Sequence, residues 1–114
     1  MGAKKISPKL RHAARQKALQ ALYQWEIAKN DSEEILRVFL TEESEQEFDR
    51  LYFKMVFLGA LEKLEESAVL IQRHGARLLA EMDPVELSIL RLSCYDLLAC
   101  PELPYKIIVN EGIE

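Results

Sequence analysis

Helical spacing of apolar residues, scarce turn residues and the lack of any strand alternation make this an all-α chain. Of its 114 residues, 49% are hydrophobic and 30% charged, which is too apolar and too regularly patterned for a disordered segment. It holds only 4 Gly and 4 Pro, so collagen-like and low-complexity classes are excluded and the many turns of an all-β fold are missing. The length suits one small domain.

Residues 1–7 form a flexible basic arm. Ser7 serves as N-cap and Pro8 opens the first helix, since proline fits the first turn, where its missing N–H costs nothing. Leu10, Ala14, Ala18, Ala21, Leu22, Trp25 and Ala28 then repeat at spacings of three and four, one stripe ending near Ala28. Asp31 followed by Glu34 is a capping-box pattern for a short second helix carrying Ile35, Leu36, Phe39 and Leu40. Ser44 and Glu47 repeat that pattern before a third helix. Its stripe is read as Phe48, Leu51, Tyr52, Met55, Leu58, Gly59 and Glu62, with Gly59 where another helix comes close. The pattern resumes through Leu64, Ala68, Ile71 and Leu78, with a break at Gly75. Asp83-Pro84-Val85-Glu86 is the clearest helix start, and the residues behind it are apolar nearly all round, as in a central helix. Cys100-Pro101 ends that helix. Pro104 opens a last one with Ile107, Ile108, Val109 and Ile113, which reaches Glu114 without a cap and reads as a chain stopping in mid-helix.

Several function classes lack their residues. No apolar run approaches the ~20 residues of a membrane span, and no secretory h-region follows the basic start. Cys94 and Cys100 read as reduced thiols packed as small apolar groups, which points to the cytoplasm. His12, His74 and the cysteines have no metal-ligand spacing, so neither metal nor cofactor is expected. His74 reads as an exposed loop residue. There is no nucleophile motif, no phosphate-binding glycine loop and no acid pair outside solvated charge runs, so no catalytic residue is assigned.

Charge is the informative feature. The net charge is −4, yet residues 1–25 contain Lys4, Lys5, Lys9, Arg11, Arg15 and Lys17 and no acid, which leaves −10 for the rest. Arg11 and Arg15 are four apart and project from one side of the first helix, with His12, Gln16 and Gln20 beside them. Cations of this kind bind phosphates with salt-sensitive affinity, and the glutamines are long enough to reach base edges. The bland alternative is a solubilising face, and charge alone leaves both open. Tyr23 lies off the apolar stripe and reads as a surface tyrosine or a protein anchor. Trp25 reads as core, and Glu86 chiefly as the capping-box acid.

The residues also resemble a known family. Arg11-His12-Ala13-Ala14-Arg15 with Ala18-Leu19-Gln20-Ala21-Leu22-Tyr23-Gln24-Trp25 looks like the N-terminal motif of the NusB transcription antitermination factors. Leu51-Tyr52-Phe53 through Leu58-Gly59 is similar to the family's third helix. Asp83-Pro84-Val85-Glu86, Ile89-Leu90-Arg91-Leu92, Tyr95-Asp96-Leu97-Leu98 and Leu103-Pro104-Tyr105-Lys106 with Val109-Asn110-Glu111 resemble its most recognisable stretch. The resemblance implies two small helical bundles, the first over residues 8–80 and the second beginning at 81–114. The family pattern continues beyond Glu114, so the second bundle is expected to be incomplete. The apolar face of residues 85–98 would then invite self-association as a homodimer, or a partner's helix.

The resemblance further implies binding of boxA single-stranded RNA in ribosomal RNA leaders, a heterodimer with the ribosomal protein NusE, and a place in the RNA polymerase antitermination complex, without catalysis. It matches Arg11, His12, Arg15 and Gln20 to the RNA-contacting helix. Lys4, Lys5, Lys9 and Gln16 stand with them, and Lys106 and Asn110 are further RNA contacts. His12 and Ala13 replace arginines common in the family. Tyr23 and Glu86 fall on the NusE-facing surface. Two other readings remain: the NusB-like domain of a ribosomal RNA cytosine methyltransferase, and a helical scaffold with no RNA role.

Overall fold

The computed structural model describes residues 7–29, 31–42, 46–74 and 79–99, and among these the ordered elements are all helical. They are α1 (Pro8–Ala28), α2 (Ser32–Thr41), α3 (Arg50–Glu62), α4 (Leu64–His74), a 3₁₀ turn (Leu79–Glu81) and α5 (Pro84–Ala99). The expected positions Gly75 and Cys100, and the last segment from Pro101, lie outside the described residues.

α1 starts as the sequence requires. The Ser7 hydroxyl accepts from Leu10 N–H at 3.2 Å, and Pro8 occupies the first turn. The helix stops at Lys29, whose left-handed φ of 52° lets its N–H reach Trp25 O. Asp31 caps α2 by accepting from Glu33 N–H, but Glu34 bonds Arg37 rather than completing a capping box.

α3 departs from the expected start and from the expected face. Its N-cap is Asp49, whose carboxylate accepts from Tyr52 N–H at 2.9 Å; Ser44 is outside the described residues and Glu47 precedes the helix. Phe48 stands just before the cap and meets Phe53 edge-on, with centroids 5.7 Å apart, a hydrophobic staple that sets where the helix begins. The buried face is Phe53, Val56, Phe57 and Ala60, whereas Leu51 is 79% and Met55 51% exposed. α3 is apolar on two faces, so spacing alone does not choose between them. Lys63 closes α3 and separates it from α4.

The core forms where α1, α2 and α3 meet. Phe53 is its centre, stacked on Phe39 at 5.5 Å and on Phe57 at 5.9 Å, over the alanine face of α1. α5 packs on α1, α3 and α4. Its buried face is partly polar: Ser88, Arg91 and Ser93 lie there with Leu87, Leu92 and Cys94. The serine hydroxyls donate to Pro84 O and Ile89 O within the helix. Burial pushes the Cys94 thiol above its ordinary pKa, as befits a packed rather than reactive cysteine. Val85 and Leu98 stay exposed, so α5 is central without being covered all round.

Gly59 of α3 is where α5 crosses closely, as its place in the sequence predicts. A methyl group there would overlap the Tyr95 ring. Gly59→Ala gains about 1 kcal/mol in helix propensity but overpacks a tight crossing at a cost of about 1–3 kcal/mol. A net loss is expected, read as a melting temperature lower by several degrees in a thermal scan.

Candidate functional site

α1 turns a row of polar side chains to solvent. Lys9, His12, Gln16 and Gln20 are all exposed and follow one another at helical spacings. Tyr23, 39% exposed, continues the row. Lys4, Lys5, Lys106 and Asn110 lie outside the described residues.

The two arginines of the motif meet different surroundings. Arg15 is largely buried and donates from Nη1 and Nη2 to the two carboxylate oxygens of Asp96 on α5, at 2.9 and 2.7 Å. Burial opposes its charge, but Asp96, with help from Tyr52, outweighs that and raises its pKa. A bidentate pair of this kind fixes orientation as well as distance. Arg11 is more open. Its guanidinium sits over the Tyr52 ring, 4.4 Å from the centroid, and its Nε lies 3.9 Å from the Asp49 carboxylate. Asp49 N–H donates to Leu10 O at 3.1 Å, so the cap of α3 is tied to the first turn of α1.

At the other end of α1 the surface is apolar. Leu19, Gln20, Tyr23 and Gln24 form, with Val85 and Ser88 of α5, an open groove of ≈ 410 Å³. Glu86 stands next to Val85. Its backbone N–H donates to Asp83 at 2.9 Å while its carboxylate turns back to Asp83 N–H at 3.5 Å, the capping role read from the sequence. Below the groove Arg91 donates from Nε to Glu26 at 2.7 Å, and Lys29 reaches the other Glu26 oxygen at 2.8 Å. Burial would keep the Glu26 carboxyl protonated, but the hydrogen bonds from Arg91 and Lys29 prevail and hold it below the usual glutamate range. Lys29 also covers the Trp25 ring at 4.1 Å, so Trp25 is partly buried at the core's edge.

Sequence reasoning passed over Asp49, Tyr52, Asp96, Glu26 and Arg91 as site residues. Tyr52 and Asp96 stood in the quoted motifs, but nothing in a spacing marks a contact such as Arg15–Asp96, 81 positions apart. Among the described residues, no three His, Cys, Asp or Glu side chains are grouped to hold a metal ion, and no helix is long and apolar enough to cross a membrane.

The class the fold defines is a small all-helical protein whose first helix carries a polar row and a stacked arginine and forms, with α5, an apolar groove. The chain belongs to the NusB family, whose model matches residues 12–114. It is 40% identical to the transcription antitermination protein NusB of Actinobacillus succinogenes over 111 residues, 97% of this chain and 77% of that protein. The protein of the same name from Coxiella burnetii is 40% identical over 106 residues, covering 93% and 77%. The one from Hahella chejuensis is 39% identical over 104 residues, covering 91% and 70%.

The Glu26–Arg91 pair makes stability depend on acid. A lowered carboxyl pKa contributes stability that is complete above the ordinary value near 4.5 and is lost as pH falls through the folded value. Glu26→Ala removes the acceptor and leaves Arg91 buried and unpaired, which costs about 3 kcal/mol at neutral pH. Urea unfolding should show that deficit at pH 7 and a shrinking gap to wild type as the pH drops below the ordinary glutamate range.

Proposed function

We propose that the protein is a transcription antitermination factor that binds boxA-type single-stranded RNA of ribosomal RNA leaders together with the ribosomal protein NusE, within the RNA polymerase antitermination complex. The observation that carries this reading is that one helix, α1, bears both the exposed polar row and one wall of the apolar groove. Membership of the NusB family supports it.

In this reading Lys9, His12, Arg11, Gln16 and Gln20 face the RNA. Lys4 and Lys5 add phosphate contacts, with Lys106 and Asn110 as further polar contacts. Cations give affinity and position, and the glutamine amides read base edges. Arg15 contributes by clamping α1 to α5 through Asp96. Tyr23, beside Val85 and near Glu86, anchors NusE in the groove, as an amphipathic tyrosine does at protein interfaces. The work is recognition, and no covalent chemistry is asked of any residue.

Fluorescence anisotropy with a boxA strand and a scrambled strand, at several salt concentrations and with or without NusE, tests it. Preference for boxA that grows with NusE is expected, together with affinity that falls linearly on a log–log salt plot. Arg11→Ala should weaken RNA binding about tenfold. Tyr23→Ala should remove the NusE effect and leave binding to RNA alone unchanged. Equal binding to both strands with no effect of NusE overturns the proposal.

A further inference from the structure

Arg11 is built into the structure as a stacked group rather than an extended cation. Three interactions hold its support in place. Asp49 caps α3 at Tyr52 N–H, Asp49 N–H bonds Leu10 O, and Phe48 staples against Phe53. They set the Tyr52 ring beside the first turn of α1, where the Arg11 guanidinium lies over it at 4.4 Å. The Arg11 side chain remains 39% exposed. Its Nε is shielded from solvent and makes no hydrogen bond.

The neighbouring charge decides what this surface fits. The Asp49 carboxylate is 3.9 Å from Nε, on the edge of the guanidinium that a phosphate would seek. A phosphate there meets a carboxylate; an uncharged base does not. Guanidinium planes and aromatic rings are the surfaces on which unpaired bases stack.

We infer that Arg11 and Tyr52 form a stacking platform for one unpaired nucleobase of a single-stranded RNA, with Arg11 touching the base and Tyr52 as the positioning residue beneath it. This rests on the RNA-binding reading above. The platform adds affinity that is insensitive to salt, alongside the salt-sensitive contribution of the lysines. Arg15, whose two outer nitrogens are taken by Asp96, has no such role despite its matching spacing.

The test uses the full chain and a boxA single strand carrying 2-aminopurine at one position at a time. One position should lose fluorescence on binding, because stacking quenches that base. Arg11→Lys keeps the charge and removes the flat face; Tyr52→Leu removes the support. Both should weaken binding about tenfold, leave the salt slope unchanged and abolish the quench. An abasic site at the quenched position should weaken wild type by a similar factor and the Arg11→Lys variant hardly at all. Circular dichroism of Arg11→Lys should match wild type, which separates lost stacking from lost folding. If wild type binds with the expected salt dependence while Arg11→Lys keeps full affinity and no position is quenched, the platform is overturned and the RNA reading stands. If wild type binds no RNA, both fall.

Discussion

How closely the other helices can approach α1 is the constraint on which the rest depends. Ala13, Ala14, Ala18 and Ala21 are at most 1% exposed, and α2, α3 and α5 all pack on this helix. At positions this buried, a longer side chain would push a neighbour away at the cost of contacts along its length. Alanines bury little area themselves, so the hydrophobic gain comes from what faces them. Phe53, Val56 and Phe57 of α3 provide it, all fully buried.

Close approach also governs where charge can go. At two points, near its middle and near its C-terminal end, α1 meets α5 through a pair of oppositely charged side chains, Arg15 with Asp96 and Glu26 with Arg91. Burying such pairs costs desolvation that the mutual attraction only roughly offsets. Their effect is on alignment. A shift of α1 along α5 would separate both pairs and leave charges buried without partners, which is far more costly than the pairs are favourable. The alanine face sets the distance between helices, and the ion pairs set their register.

Much of this was legible in the sequence, for identifiable reasons. Caps are local, so Ser7, Asp31 and the Asp83–Glu86 box could be read from neighbouring residues. The α1 stripe was legible because only one of its faces is apolar. α3 was not, because Leu51 and Met55 compete with Phe53 and Val56 at the same spacing. The Phe48 staple and the demand of the α1 alanines for large facing rings settle the choice, and both depend on tertiary structure. The candidate site divides in the same way. Exposure of Lys9, His12, Gln16 and Gln20 follows from their lying opposite the stripe. The contrast between Arg11 and Arg15 does not, since it is imposed by Asp49 and Asp96, partners on other helices.

The same clamp bears on how two ligands would influence one another. The polar row and the groove share α1, and Gln20 belongs to both. A ligand in the groove changes affinity for one on the row only through a difference in contact or conformational energy between the two occupied states. With α1 pinned at two points, sliding it as a lever would break two ion pairs, a cost beyond ordinary coupling energies of a few kcal/mol. In the proposed reading, cooperation between an RNA and a protein partner on this helix would then be a matter of direct contact. A partner seated at Tyr23 would extend the surface offered to the RNA strand, while the helix stays where the ion pairs hold it.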